Sequence, residues 1–471
     1  MIENKGQRIP RVCLIVDNPL RDLDGLALLG WHLANKSIEV CLVSMSNKYE
    51  VFFLKPDLVL LNYVRKGNRK FVVACHEMGI MTAVLDTEGG VLKDADFVFR
   101  SVFKHVDKVD LYCLWGIKQY EALRKINILP GDVIKVTGCP RYDFCVSPWS
   151  NALLNMPQSL ATQKTVLVNT NFPIIQPRFQ SSEKEAKELV SDAGFDAGYV
   201  NNLLSQTKTA RTEVVNTIKL LAPRLPQLMF VIRPHPFEDK SFYEDAFKGF
   251  PNIEVHQSGP VFPWIKHSIV MLHHNCATAI EAVLMGKEPV YLKWINTPLL
   301  DQPSSIEVSH HAHSPAELED ILKKLLEGKR LEVPDELKTA RDKIIRDWFF
   351  SNDGKNAERA ANAILETINK KNRKSISSLQ LIRSLLIRQL VRKDFKEFIK
   401  HLVILILGSE FYARIKKSRY ASGKEFGVED VQAIITRIEK VATSFNHKKI
   451  SAGSGNSRLV KHSVRLAGKS E

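Results

Sequence analysis

The chain has 471 residues, more than one ordinary hydrophobic core encloses, so we expect two domains and an extension. Hydrophobic residues make up 44% of it, and its seven cysteines form no CxxC pair, which argues against a disulfide framework or a zinc site and for a globular protein of a reducing compartment. No apolar run reaches about eighteen residues and the first residues lack a signal-peptide pattern, so we expect a cytoplasmic protein without a membrane span.

The net charge of +15 lies entirely in residues 370–471, which carry 23 Lys or Arg and 8 Asp or Glu; the first 369 residues carry 44 of each. A basic tail on a neutral body predicts contact with an anionic surface. Within the tail, 375–393 mixes Leu and Ile with Arg, 395–407 is apolar but too short to cross a bilayer, and a helix is expected near 428–443. We expect a basic, amphipathic and partly disordered extension, disordered from about Ser451, that binds the inner face of the membrane in preference to nucleic acid.

Apolar runs alternate with helical periodicity through about residue 150. This βαβα rhythm predicts an N-terminal Rossmann-like domain over 1–150. Its expected strands lie at 11–17, 39–44, 57–62, 83–86, 111–115 and 133–137.

Two carboxylates and a glycine pair follow the fourth of these strands. Asp86 and Glu88 stand beside Gly89 and Gly90, where the carboxyl edge of a parallel sheet places chemistry. Glycine allows close approach of a ligand to the backbone, and Gly138 follows a later strand in the same way. A solvated turn is the alternative interpretation of 86–90, and the local pattern leaves both open.

The second domain is expected over 160–345, after an irregular linker. A strand at 165–171 with a polar exit opens it, and a later strand ends in the Arg-Pro-His-Pro of 233–236. Proline on both sides of His235 fixes the loop. Arg233 and His235 are therefore candidate phosphate ligands.

A second polar loop follows the strand that begins near residue 270. It carries His273, His274 and Asn275 and runs into a helix that Thr278 is expected to cap, with Glu281 at capping-box spacing. Backbone N–H groups at a helix start favour a phosphate. The pattern leaves open that Glu281 serves only the helix and that the histidines only pack.

The rest of the second half is helical. We expect helices at 314–327 and from 334 to about 350, and a closing helix within 346–369. His310, His311 and His313 lack a partner Cys or carboxylate at ligand spacing, which favours a solvated loop. No Asp-x-Asp follows a strand, so we expect neither a metal nor another cofactor.

Five motifs in this order resemble those of GT-B glycosyltransferases. More narrowly, the chain resembles bacterial surface-carbohydrate (polysaccharide or capsule) biosynthesis proteins related to Kdo- and sialyl-type transferases, over about residues 10–368. The motifs are LDTEGG at 85–90, TGCPRYD at 137–143, RPHP at 233–236, the Thr-x-x-Glu-Ala helix start with Gly-Lys-x-Pro at 278–289, and NDG at 352–354.

The resemblance implies two Rossmann-like domains facing a cleft. It implies a nucleotide-sugar donor, with CMP-linked sugars among the candidates, held mainly by the second domain, and a surface-polysaccharide or lipid-linked glycan acceptor held by the first. In relatives with CMP-linked donors, a His-Pro histidine and hydroxyls after the next strand contact the nucleotide, which corresponds here to His235 and Thr278. Many relatives have Ser-Ser or Ser-Thr where this chain has 275–278, Asn-Cys-Ala-Thr.

Glycosyl transfer needs stabilisation of the leaving phosphate and a base for the acceptor hydroxyl. Arg233, His235 and the loop at Asn275 suit the first role. Glu88 or Asp86 suits the second, with Glu88 favoured because it abuts the glycine pair. A polyol-phosphate transferase or a sugar-nucleotide 2-epimerase of the same fold stays open, as does a non-catalytic membrane-associated scaffold.

Overall fold

The structure is a computed structural model in which the chain forms two compact units. The first unit comprises residues 1–152 and 346–471, and the second comprises 153–345. The residues that the structure describes are 8–64, 68–86, 106–157, 160, 162–191, 195–370, 425–442, 449–454 and 463–468.

The first unit contains six parallel strands in the order β2-β1-β3-β4-β5-β6. Every residue of β3, β4 and β5 is buried, as expected of strands covered on both faces. The strands are β1 Arg11–Val16, β2 Glu39–Ser44, β3 Leu58–Leu61, β4 Met81–Leu85, β5 Leu111–Leu114 and β6 Ile134–Val136. The α-helices among them are α1 Pro19–Asn35, α2 Val51–Leu54, α3 Arg69–Glu77 and α4 Ile117–Ile126.

The second unit contains a six-stranded parallel sheet of order β12-β11-β10-β7-β8-β9. Its strands are β7 Lys164–Asn169, β8 Leu228–Arg233, β9 Ile253–Val255, β10 Val270–His273, β11 Pro289–Leu292 and β12 His310–Ala312. Its α-helices are α5 Ser182–Ser191, α6 Ala197–Leu221, α7 Ser241–Ala246, α8 Phe262–His267, α9 Thr278–Leu284, α10 Pro303–Glu307, α11 Pro315–Leu326 and α12 Asp335–Ile344. Two parallel sheets confirm the predicted class of two Rossmann-like α/β domains.

The chain then returns to the first unit. Its described elements after residue 350 include α13 Asn356–Lys370, α14 Val428–Val441, β13 Ile450–Ser454 and β14 Ser463–Gly468. β14 pairs antiparallel with β2, and β13 pairs antiparallel with β14, so the described part of the first sheet has eight strands. No described helix is long and apolar enough to cross a membrane.

The strands at 450–454 and 463–468 differ from the disorder expected after Ser451. Val464 and Leu466 are buried at 2% and 0% exposure, and a Cβ on Gly30 of α1 would meet the Leu466 side chain at 2.8 Å. Polar contacts hold the same region, since Trp31 Nε1 donates to Glu439 Oε1 at 2.7 Å. Two buried side chains at alternate positions suffice for a strand buried on one face, a pattern too short to stand out among Ser, Gly and Lys.

The loop after β6 and the start of α13 are joined by a buried carboxylate. Asp143 is fully buried, and its two oxygens accept hydrogen bonds from the backbone N–H groups of Asn356 at 2.9 Å and Ala357 at 2.7 Å. Gly138 has φ +73°, and a Cβ there would lie 1.9 Å from Asn356 Oδ1. The close approach that Gly138 permits is therefore made by Asn356 of the same chain, in place of the ligand approach that the sequence suggested.

We expect Asp143 to make stability depend on pH. Burial raises the pKa of Asp143 from 3.8 to about 7, so the folded protein keeps this proton at pH values where the unfolded chain has lost it. Stability from this group is complete below about pH 4 and is lost as the pH rises through 7. Relative to Asp143→Asn, the wild type should lose roughly 2–3 kcal/mol of unfolding free energy between pH 5 and 7, measured by urea unfolding.

The exposed Asp107 provides the control, because Asp107→Asn changes a carboxylate without a buried partner. That variant should keep the pH dependence of the wild type. An identical pH dependence in Asp143→Asn and the wild type contradicts the assignment.

Candidate functional site

In each unit, described candidate side chains lie at or next to the position where the strand order reverses. The second sheet reverses between β7 and β10, and the first between β1 and β3. In open α/β sheets, ligands bind outside the carboxyl ends of the strands at this position.

Three polar residues lie side by side at the carboxyl edge of the second sheet. Strand register pairs Asn169 of β7 with Arg233 of β8 on one side and with His273 of β10 on the other. Asn169 Nδ2 donates to Thr278 Oγ1 at 2.8 Å, and Asn171 Nδ2 donates to the Asn275 carbonyl at 3.2 Å. The loops after β7 and β10 are therefore joined by amide side chains.

Asn275 has the features of a residue held in place for a ligand. Its φ is +58°, a left-handed conformation that is uncommon for a residue other than glycine. Its side chain is 3% exposed, and Oδ1 has no hydrogen-bond partner among the described residues; the same is true of Asn169 Oδ1. An unmatched buried acceptor costs about 1–3 kcal/mol, so two of them at one switch point suggest partners supplied by a ligand.

The structure places His273 and His274 inside the unit, each 1% exposed. His273 Nε2 lies 2.8 Å from Ser309 Oγ, and His274 Nε2 lies 2.6 Å from Thr297 Oγ1 while its ring stacks on Tyr291. Burial lowers the pKa of His273 to about 3 and that of His274 to about 4, so both rings are neutral at pH 7. His274, predicted to bind the donor, supports Asn275 from the interior.

Arg233 is 8% exposed, and its two terminal nitrogens donate to the Ser258 carbonyl at 3.0 Å and the Gly259 carbonyl at 2.8 Å. Burial lowers its pKa to about 10. These bonds hold the loop after β9, a structural role that differs from the predicted phosphate contact. The sequence could not show this, because the accepting groups are backbone carbonyls 25 residues away.

His235 is half-buried on the loop after β8. Its Nδ1 accepts the Phe237 N–H at 3.2 Å, which places the proton of the neutral ring on Nε2 and makes that atom a donor. Its backbone N–H donates to Glu238 Oε1 at 3.0 Å, and its carbonyl accepts from Gln257 Nε2 at 2.8 Å. Hydrogen bonds at its backbone N–H, its carbonyl and its ring Nδ1 therefore fix the position of His235.

Glu238, which the sequence analysis missed, organises these loops. It is completely buried; Oε1 accepts from Thr170 Oγ1 at 2.8 Å, from the Phe172 N–H at 3.0 Å and from the His235 N–H, and Oε2 accepts from Tyr243 Oη at 2.6 Å. Burial raises its pKa, which these hydrogen bonds partly offset. One carboxylate therefore holds both the loop after β7 and the His-Pro loop.

The start of α9 differs from the predicted cap. The N-cap residue is Ala277, without a side-chain cap, and Thr278 is the first helical residue. The Thr278 hydroxyl bonds Asn169 instead, and Glu281 lies half-buried in the first turn. Because α9 has only seven residues, its dipole contributes less to phosphate binding than the sequence suggested.

The first unit has a cleft at its own switch point. It is lined from the ends of β1, β3 and β4, and from α1 and the loop after β6. Asp86 of the predicted catalytic loop contributes to it, whereas Glu88, Gly89 and Gly90 lie outside the described residues. Among the described residues, the polar side chains that line the cleft include Asp22, Asn62, Asp86 and Arg141, of which Asp86 was predicted.

Asn62 and Asn169 share a sequence signal that could have found them. Each is a carboxamide at the end of an apolar strand, after Leu58–Leu61 or within Lys164–Asn169. Asp22 and Arg141 give no such signal, since one lies in a helix and the other in a short 3₁₀ segment, Pro140–Cys145. Only the tertiary structure brings them to the cleft.

No protein-family model matches this chain, and no curated protein sequence matches it. Among solved structures, it is similar to a putative UDP-N-acetylglucosamine 2-epimerase from Listeria monocytogenes, at 13% identity and a TM-score of 0.48 over 79% of this chain and 100% of that one. It is similar to the UDP-GlcNAc 2-epimerase of Neisseria meningitidis bound to UDP-GlcNAc, at 11% identity and a TM-score of 0.45 over 76% of this chain and 100% of that one. It is also similar to a wall teichoic acid polymerase, at 11% identity and a TM-score of 0.46 over 77% of this chain and 89% of that one. None of these three is a Kdo- or sialyl-type transferase, and similarity this low assigns no activity to this chain.

We expect Glu238→Ala to unfold the candidate site. Four hydrogen-bond donors would lose their acceptor inside the unit, at about 1–3 kcal/mol each for those that stay buried, so the unfolding free energy should fall by at least about 3 kcal/mol. Glu238→Gln keeps Oε1 as an acceptor and should cost clearly less. Urea unfolding of the two variants measures the difference.

Glu244 serves as the matched control for this pair. Its carboxylate pairs with Lys240 at the surface, 45% exposed, so Glu244→Ala should change stability by less than about 1 kcal/mol. Equal stability of Glu238→Ala and Glu244→Ala would show that Glu238 does not hold the loops.

Proposed function

We propose that this chain is a GT-B-type glycosyltransferase. It would move a sugar from a nucleotide-sugar donor to a surface-polysaccharide or lipid-linked glycan acceptor. The observation that carries the proposal is Asn275, a buried residue in the left-handed conformation whose Oδ1 lacks a partner at the switch point of the second sheet. The resemblance described above supplies the class of reaction, and the site chemistry below supports it.

The polar groups of the second unit suit a nucleotide. Buried amide oxygens of Asn169 and Asn275 accept hydrogen bonds, and the hydroxyls of a ribose donate them. The Glu281 carboxylate in the first turn of α9 adds a third acceptor. His235 Nε2–H and the Thr278 hydroxyl are donors suited to phosphate oxygens. A CMP-linked sugar remains among the candidate donors.

The cleft of the first unit supplies the base. Asp86 would take the proton of the acceptor hydroxyl as its oxygen bonds to the donor's anomeric carbon, while the bond from that carbon to the phosphate breaks and the nucleotide leaves. Glu88, three residues after Leu85 at the end of β4, is the other candidate base. The phosphate charge that develops on the leaving group is stabilised by donors of the second unit.

Thermal unfolding across CMP, CDP, UDP, GDP, dTDP and ADP tests the donor site. One nucleotide at about a hundred times its dissociation constant should add roughly 2.7 kcal/mol of stability. Asn275→Gly removes the amide while suiting the positive φ, and should weaken binding about tenfold, as should His235→Ala. Asn201→Ala, an exposed asparagine of α6, is the control and should bind like the wild type. If none of these nucleotides stabilises the protein, the proposed enzyme is rejected in favour of a non-catalytic scaffold.

The reaction itself separates transfer from epimerisation. With the responding nucleotide-sugar, Asp86→Asn should lower acceptor-dependent release of the nucleotide by about 10²–10⁴-fold. Its nucleotide stabilisation should stay unchanged, since Asp86 belongs to the other unit. Conversion of the sugar to its C2 epimer without any acceptor identifies a 2-epimerase, and a polyol-phosphate product from a CDP-linked donor identifies a polyol-phosphate transferase.

We also propose that the enzyme binds the inner face of the cytoplasmic membrane. The charge of residues 371–424, with 14 Lys or Arg and 3 Asp or Glu, supports this, at about 1 kcal/mol per basic residue near an anionic surface. The described parts of 425–468 form α14, β13 and β14 of the first unit, so this proposal is limited to the 371–424 part of the basic tail predicted over 370–471.

A Gly-Ser linker in place of 371–424 tests membrane binding while keeping α14, β13 and β14. Cosedimentation with phosphatidylglycerol vesicles should be lost, and neutral phosphatidylcholine vesicles should bind neither protein. Equal binding of the linker variant and the wild type to anionic vesicles contradicts the proposal.

A further inference from the structure

The cleft of the first unit combines an apolar floor with a small set of polar groups. Ile15, Leu26 and Leu60 contribute aliphatic surface at the ends of β1 and β3 and on α1. Gly25 of α1 lies against the backbone of Arg141, where a Cβ would be 2.6 Å from the nitrogen, so the helix and the loop after β6 form one tight wall. A ring with both C–H faces and polar substituents matches such a surface.

The charges at the cleft are largely matched within the protein. Asp22 accepts from Arg21 Nε at 2.7 Å and from the Asn18 N–H at 3.1 Å. The Arg141 guanidinium lies over the Trp115 ring at 5.1 Å and the Tyr142 ring at 4.6 Å. Among the described residues, the charged groups that line the cleft are Asp22, Asp86 and Arg141. Because Arg21 neutralises Asp22 and Arg141 lies against two aromatic rings, the described lining presents no excess positive charge to an added phosphate or carboxylate.

Asn62 supplies the observation that points to a ligand. Its side chain is 2% exposed and lines the cleft, and Nδ2 has no hydrogen-bond partner among the described residues. Its Oδ1 is oriented by Asn68 Nδ2 at 3.5 Å, and Asn68 Oδ1 in turn accepts from Lys48 Nζ at 2.6 Å. Asn68 therefore holds the oxygen end of the amide, and the donor end of this cleft-lining side chain is left without a partner, which is costly for a buried donor.

We infer that this cleft binds a neutral, hydroxyl-rich ring, with Asn62 as the donor that selects it and Asp86 as an acceptor. A hydroxyl both accepts from the Asn62 amide and donates to a carboxylate, whereas an anionic group can do only the first. Binding of such a ring does not depend on the proposed function. Its identification as the terminal sugar of the acceptor rests on the proposed function. The acceptor sugar is then an uncharged pyranose and not a uronic acid or a sugar phosphate.

Ligand-observed NMR on the full-length protein tests the inference with glucose, N-acetylglucosamine and galactose as neutral probes. Glucuronic acid and glucose 6-phosphate are the charged counterparts. At least one neutral sugar should bind with a dissociation constant in the millimolar range, and the charged sugars at least about tenfold more weakly. Asn62→Ala should weaken the neutral sugar about tenfold, and Asn62→Asp, which replaces the donor by a carboxylate, should weaken it further.

Asn35→Ala is the matched control, because Asn35 ends α1 in the same unit and bonds the Trp31 carbonyl away from the cleft. It should bind sugars like the wild type. Binding of the charged sugars as tightly as the neutral ones, binding of no neutral sugar, or equal binding by Asn62→Ala and Asn35→Ala overturns the inference. Thermal melting of each variant confirms folding before the comparison.

The outcome is separable from that of the proposed function. Nucleotide stabilisation reports on Asn275 and His235 in the second unit, and sugar binding reports on Asn62 in the first. If a sugar binds and no nucleotide stabilises the protein, this inference stands and the proposed transferase is rejected. If a nucleotide stabilises the protein and sugar binding does not depend on Asn62, the proposed donor site stands and this inference is rejected.

Discussion

Parallel pairing brings the carboxyl ends of neighbouring strands to one edge of a sheet, and the candidate side chains of this protein lie along such edges. In the second unit the register that aligns Asn169 with Arg233 and His273 is the same set of backbone hydrogen bonds that builds the core. Loops then need only a few further bonds to present their side chains. The site chemistry depends on the sheet before it depends on any single polar residue.

Buried carboxylates supply those further bonds in both units. Glu238 collects donors from the loops after β7 and β8, and Asp143 collects the first two N–H groups of α13. In each case one residue accepts a hydrogen bond from a backbone N–H at least 66 residues away, which would otherwise be buried without an acceptor. The loops at the carboxyl edge of a sheet can therefore be irregular and still be held in one position.

The sequence was enough to predict the two parallel sheets and the polar loops, because buried strands read as continuous apolar runs. It correctly placed Asp86 and Asn275 at strand ends. It did not identify the partners of Arg233 and Gly138, which are a loop 25 residues away and the side chain of Asn356. Contacts of that kind depend on three-dimensional packing, which no local pattern encodes. Glu238 was missed for the same reason, since an isolated Glu after a His-Pro motif resembles a surface residue.

The antiparallel pairing of β14 with β2 has a consequence for synthesis of the protein on the ribosome. Val43 emerges roughly 420 residues before its partner Ser463, which at about 5–20 residues per second is a delay of roughly 20–80 seconds. Throughout that time the nascent first unit has an open β edge, and the whole of 153–345 emerges and can fold before that edge is covered. An unpaired edge invites intermolecular pairing, so chaperone demand during translation should concentrate on the N-terminal sheet.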